Sequence, residues 1–237
     1  ELRTEEPLGR VVTSGKTENV HVYKHPTGFF PNYRKPIEMN VFIPQSQAGA
    51  FHIFEVLRKT NDWYRKQGMP MPSATVIVWS DGYKPKTSYF TRGTDRIHLL
   101  GTTADPDQFD DSVIAHEITH RAAWLLSTDN SPGGDHSRFK QYVQTLAWSE
   151  GIATYFGQTI LQTRRYVDTN TSGSIDYNVD SMTNIPKGTH DGTESGNMSE
   201  ALVTAMLWDM NDPVNSSEND NLSGLGWIVV NAFRNMR

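Results

Sequence analysis

Apolar residues recur at helical spacing over residues 45–67, where Ala50, Phe51, Phe54, Leu57 and Trp63-Tyr64 share one side, and Gly68, Pro70 and Pro72 supply the stop. Upstream, residues 10–13, 19–23 and 38–43 are short β-rich or alternating runs cut by turns such as His25-Pro26-Thr27-Gly28, which predicts strands. Downstream, residues 74–79 are β-branched and apolar, 87–91 are aromatic and Thr-rich, and 96–100 resume after Gly93-Thr94-Asp95. These predict further strands of a sheet backed by the helix. Asp105-Pro106-Asp107-Gln108 offers an N-cap, a proline at the first helical position and a glutamine at N3, so a helix is expected from there to about residue 127. Past a polar loop at 128–135, Ser137 is placed to cap a second long helix to about residue 162, with Phe139, Tyr142, Val143, Leu146, Ala147, Ile152 and Phe156 on its buried side. Residues 163–197 are polar and Gly-bearing, too long for a simple connection, and read as a functional or mobile loop. Helical patterns return at 198–210 and 225–236.

This order predicts an α+β architecture in one functional unit of 237 residues: a strand-rich N-terminal lobe over 1–130 and a mainly helical C-terminal lobe over 131–237. Composition narrows the function classes. Hydrophobic residues at 36% with ten Phe, nine Tyr and six Trp describe a folded chain. The net charge of −5 has no basic block behind it, so neither nucleic acid nor an anionic membrane is an expected partner. The longest apolar run, near residues 201–208, is broken by Thr204 and too short to span a bilayer. With no cysteine, any metal falls to His, Asp and Glu. A start at Glu1 without a basic-then-apolar leader fits either an excised piece or a mature form whose signal has been removed, and loops rich in Asn, Ser, Thr and Gly tilt the expectation toward a secreted or periplasmic protein.

The candidate chemistry sits in the first long helix, where residues 116–120 read His-Glu-Ile-Thr-His. On a helix, His116 and His120 lie one turn apart on one face with Glu117 beside them, the arrangement of a zinc hydrolase. Such a site needs a third protein ligand and an open fourth position for water. Asp129, Asp135, His136 and Glu150 are the downstream candidates. His120 is followed by Arg-Ala-Ala-Trp-Leu, without the glycine and third histidine of a metzincin, and His136 stands too far along to supply that pattern. Glu150 is the better candidate, because it lies inside the second long helix among small residues that permit close packing on the first.

His-Glu-Ile-Thr-His paired with the later Glu150-Gly151-Ile152-Ala153-Thr154-Tyr155-Phe156 resembles the gluzincin metallopeptidases, which include the thermolysin-like and aminopeptidase N-like enzymes. The spacing from His120 to Glu150 is longer than in either group. The resemblance implies a zincin-like fold, Zn2+ on His116, His120 and Glu150, Glu117 as general base, and Thr154 beside a ligand histidine. It implies hydrolysis of a protein or peptide substrate. A zinc-containing module that binds a peptide or glycan without turnover, or a hydrolase of another amide or ester, are the alternatives.

A gluzincin also needs a donor for the developing oxyanion. His190, in a Gly-rich segment before a predicted helix, is the first choice, with Tyr177 and Tyr166 as competitors. Residues 168–176 read Asp-Thr-Asn-Thr-Ser-Gly-Ser-Ile-Asp, which is similar to a calcium loop with Asp168, Asn170 and Asp176 as Ca2+ ligands, but Val179 stands where an acidic twelfth ligand is expected, which favours a plain polar turn over a calcium site. In the segment Leu207-Trp208-Asp209-Met210-Asn211-Asp212 the expected role is packing and capping, and Glu200 on the preceding helix is a candidate to face the cleft.

Overall fold

The computed structural model describes residues 2–24, 42–138, 140–180, 198–213 and 223–236. The chain opens with four short strands, β1 (Leu2–Arg3), β2 (Glu5–Glu6), β3 (Gly9–Val12) and β4 (Val22–Tyr23). Helix α1 (Gln45–Lys66) follows, then β5 (Thr75–Val78), β6 (Tyr89–Thr91) and β7 (Arg96–His98). Helices α2 (Asp111–Leu126) and α3 (Gln144–Leu161), the hairpin β8 (Arg165–Asn170) and β9 (Gly173–Asn178), and helices α4 (Glu200–Asp209) and α5 (Gly226–Asn235) complete it.

The main sheet has the order β2-β3-β5-β7-β6, with β3, β5 and β7 parallel and both edge strands antiparallel. Its mixed character follows from the connections. Helix α1 is the crossover between the parallel strands β3 and β5, whereas the short turn between β6 and β7 forces an antiparallel pair. All four residues of the central β5, Thr-Val-Ile-Val, are buried, as a strand covered on both faces requires. The expected helix over 45–67 forms over 45–66, and it buries Gly49, Ala50, Ile53, Val56, Leu57, Thr60, Asn61 and Tyr64 at three- and four-residue spacing. Arg65 and Lys66 in its last turn complement the helix dipole, and Gly68 at φ +72° turns the chain. The strand expected at 38–43 lies almost wholly outside the described residues.

Two expectations change. The helix proposed from Asp105 begins six residues later. Residues 107–109 make one tight turn, and Asp110, rather than capping α2, accepts from the backbone and hydroxyl of Thr169 at 2.9–3.1 Å. The helix proposed from Ser137 begins at Gln144. The backbone N–H of Ser137 donates to the Tyr142 hydroxyl at 2.7 Å, and Tyr142 bridges to Met198, so Ser137 and Tyr142 are held by partners outside any helix.

Helix α3 is the inner helix. Its buried residues include Glu150, Gly151, Ala153, Thr154 and Phe156, and the Phe156 ring meets Trp63 of α1 and Phe233 of α5 at 5.4 and 5.0 Å between centroids. Two glycines set its distance from its neighbours. A Cβ on Gly157 would stand 3.3 Å from the backbone nitrogen of His116, and one on Gly151 would stand 2.5 Å from Val203 Cβ. Helix α3 therefore meets α2 almost backbone to backbone, with α4 on its other side.

Candidate metal centre

Helix α2 carries His116 and His120 on the face turned to α3, and their rings meet edge-on with centroids 4.6 Å apart. Across the helix contact stands Glu150. The two Nε2 atoms are 3.0 Å apart, and Glu150 Oε2 lies 3.2 Å from His116 Nε2 and 3.1 Å from His120 Nε2. Two imidazole nitrogens and a carboxylate oxygen thus form a nearly equilateral triangle, at the end of a cleft of about 830 Å³ that Glu117 also lines.

The triangle fits a small cation. Tetrahedral donors around zinc, at bond lengths of about 2.0–2.1 Å, stand about 3.3–3.4 Å apart, close to the separations seen. Three lone-pair donors this near repel one another unless a proton or a metal ion stands among them. Burial works against charge on His120, yet Glu150, Glu117 and Asp129 outweigh it and raise its pKa to about 9. Burial likewise works against the Glu150 carboxylate, but His120 and His116 hold it well below the usual carboxylate range. The site stabilises positive charge at that point. On the far side of His116, Nδ1 lies 3.1 Å from the Thr154 hydroxyl one turn beyond Glu150, which leaves Nε2 free to face the triangle when Nδ1 carries the proton.

Neighbours of the triangle come from three further segments. His136, weighed as a ligand and set aside on spacing, is brought back by the non-helical path of 127–143. Its Nε2 lies 3.4 Å from Glu150 Oε2 and its Nδ1 2.8 Å from Glu200 Oε2. Burial lowers its pKa, but the bond to Glu200 and the charges of Glu150 and Glu200 prevail and raise it to about 8. Glu200 thus faces the cleft. Asp129 and Asp135 sit on the same segment and pair with Arg92 and Lys86, both at 2.7 Å. Sequence spacing missed His136 because it was weighed only as the third histidine of a metzincin pattern, whereas the non-helical segment folds it back beside Glu150. The His136 separation from two glutamates is a tertiary fact with no local signal.

The loop expected at 163–197 contains the β8–β9 hairpin, docked on the start of α2 through the bond from Val167 N–H to Ser112 Oγ and through Asp110 and Thr169. It walls the cleft with Tyr166 and Tyr177, stacked at 5.1 Å, and Tyr166 stands edge-on to His116 at 6.5 Å. Burial pushes the Tyr166 hydroxyl well above its ordinary pKa, with Tyr177, Asp168, Glu117 and Glu200 adding to the shift. His190 lies outside the described residues.

The calcium reading of 168–176 is corrected by the same hairpin. Asp168 pairs with Ile175 and Asp176 with Val167, so alternation turns the two carboxylates to opposite faces of the ribbon. Asp176 is held by Arg165 at 2.6 Å, and Asn170 Oδ1 accepts from Ser172 N–H at 2.9 Å. Asp168 instead converges with Asp105 and Asp107, with one oxygen of each within 4.8 Å of the others. Burial raises Asp107 to about 8 and Asp168 to about 6, reinforced by the neighbouring carboxylates.

No helix among the described residues is long and apolar enough to cross a membrane. No curated protein matches the chain closely enough to count as a relative. The family model of the mycolysin C-terminal domain matches residues 58–235, a stretch that includes His116, Glu117, His120 and Glu150. The match spans most of the sequence, and the chain belongs to the mycolysin C-terminal domain family.

Proposed function

We propose that this chain is a secreted zinc peptidase of gluzincin type, with a zincin-like fold, in which His116, His120 and Glu150 hold the ion and Glu117 is the general base. The family is a domain of secreted zinc metallopeptidases, which supports a peptidase-related role. The observation that carries the finer reading is the triangle of three donors at 3.0–3.2 Å with Glu117 in the same cleft. The proposal divides the chain near residue 130, so that the sheet segment with α2 forms one wall of the cleft and α3, the hairpin and α4 the other.

Bound there, zinc would supply Lewis acidity toward a carbonyl and would make a water molecule more acidic. The chain's own residues do the rest. Glu117 takes the proton from the attacking water and passes it to the departing amine nitrogen. Thr154 keeps the Nδ1 proton of His116 in place. Tyr166, whose hydroxyl burial keeps protonated, donates to the developing oxyanion. The acidic, open cleft accommodates an extended protein or peptide substrate.

The Glu117→Gln variant tests this directly. Peptide cleavage should fall by about 10²–10⁴-fold, while zinc content by elemental analysis stays at the wild-type level. Undiminished turnover in that variant removes Glu117 as the base.

A further inference from the structure

His136 has an environment that the proposed hydrolysis does not use. Both of its ring nitrogens face carboxylates, and the carboxylates come from different helices: Nδ1 is 2.8 Å from Glu200 at the start of α4, and Nε2 is 3.4 Å from Glu150 inside α3. Glu200 and Glu150 are largely buried, at 13% and 9% side-chain exposure, and meet solvent only through the cleft they line. The histidine is delivered from the non-helical segment between α2 and α3, which Arg92–Asp129 and Lys86–Asp135 tie to the side of β6.

The geometry is that of a bridge. One nitrogen of His136 and one oxygen each of Glu150 and Glu200 lie within 4.8 Å of one another, near enough to share a cation, but the short contacts run to opposite nitrogens of the ring, Nδ1 to Glu200 and Nε2 to Glu150. An imidazole between two carboxylates, with one end fixed by a hydrogen bond, restricts the orientation of the carboxylate at its other end. Among the described residues Glu150 has no comparable tether besides His136, because its other close contacts, His116 and His120, are the groups with which it would share an ion.

Resting on the assignment of Glu150 as a ligand, we propose that His136, anchored by Glu200, is a positioning residue that orients the Glu150 carboxylate and thereby sets how tightly the metal centre retains its ion. Partners one step removed from a metal characteristically change affinity by about 10–100-fold when lost. Glu200 acts only through His136. The order of effects is then Glu150 first, His136 second, Glu200 third.

The test uses the whole chain and Zn2+, with affinity measured by competition against a chromophoric chelator and ligand geometry read from the visible spectrum of the Co2+-substituted protein. His136→Ala should weaken Zn2+ about 10–100-fold and broaden the Co2+ bands, His136→Gln should recover part of the loss through its remaining N–H donor, and Glu200→Gln should move both readouts the same way by less. Circular dichroism and the melting temperature of the metal-free variants separate these effects from misfolding, and Glu200→Gln, which keeps shape and volume, decides the matter where His136→Ala does not fold. Wild-type affinity in folded His136→Ala and Glu200→Gln overturns the positioning role. So does a stoichiometry of two ions per chain that falls to one in His136→Ala, which would make His136, Glu150 and Glu200 a second cation site. Failure of the parent reading looks different: wild type would bind no stoichiometric Zn2+, or Glu150→Gln would bind it as tightly as wild type.

Discussion

Asp107 is 4% exposed, its carboxylate touches the Ser88 hydroxyl, and Asp105 and Asp168 stand beside it. Burial raises its pKa to about 8, against 3.8 for an unperturbed aspartate; the bond from Ser88 opposes the shift, and Asp105 and Asp168 add to it. The folded chain therefore keeps a proton that the unfolded chain has lost, and the stabilisation this brings is complete below about pH 4 and disappears as pH rises toward 8. In the presence of a chelator, Asp107→Asn should melt at the same temperature as wild type near pH 4 and several degrees higher near pH 8. A constant offset across that range would contradict the raised pKa. Arg121 makes a second case at this scale. It is fully buried directly after His120 and grips Asp95 through two bonds of 2.7 and 2.9 Å, with Ser73 and Thr75 taking its other donors. Arg121→Met should cost about 1–3 kcal/mol in denaturant unfolding, because the buried acceptors at Ser73 and Thr75 lose their donor while Asp95, partly exposed, turns to water. Individual residues were legible in the sequence where one helix supplies the geometry: His116, Glu117 and His120 follow from a four-residue period, as does Thr154 from Glu150. His136 and Tyr166 were harder, because each reaches the cleft by a path that depends on other elements.

Between elements, the decisive contacts are those of α3. Its sequence from Glu150 to Gly157 is rich in small residues, and the two glycines admit α2 on one side and α4 on the other. A methyl group at Gly151 would sit 2.5 Å from Val203 and 2.9 Å from the Glu200 carbonyl, so Gly151→Ala should force α4 outward at about 1–3 kcal/mol of stability. A thermal melt checks the cost, and an unshifted melting temperature would mean that α4 moves freely. The limits of α1 were readable because its apolar stripe, closing Arg65-Lys66 and Gly68 agree. The late start of α3 was not, since Phe139, Tyr142 and Val143 continue the apolar spacing while Tyr142 pairs with Met198, a residue more than fifty positions on. The β8–β9 hairpin went unseen for a related reason. Its outward polar residues resemble a loop, and only docking on Asp110 and Ser112 gives the ribbon a buried side.

For the whole molecule, the α+β arrangement and the helix behind the sheet could be read from the order of periodicities, whereas the strand order β2-β3-β5-β7-β6 could not, because it pairs segments separated by helices. An ion that binds only the folded chain adds its binding energy to stability. At a free concentration about 1,000-fold above Kd this amounts to about 4 kcal/mol, or roughly 8–16 °C in a chain of this size. Chelator treatment should lower the melting temperature by that order in wild type and leave Glu150→Gln nearly unmoved; equal shifts in both proteins would place the ion elsewhere. The backbone-to-backbone approach of α2 and α3 at Gly157 has one more consequence. Side chains can yield to a larger guest, but main chains already in contact cannot separate without dragging the core with them. The contact fixes the spacing of the two helices that carry the histidines and Glu150, so their side chains, within the play their rotations allow, stand at separations suited to an ion held at about 2.0–2.1 Å rather than to Ca2+, whose oxygen ligands stand at about 2.3–2.6 Å. Millimolar Ca2+ should leave the zinc in place, and selectivity at this centre would then be a property of helix packing as much as of donor chemistry.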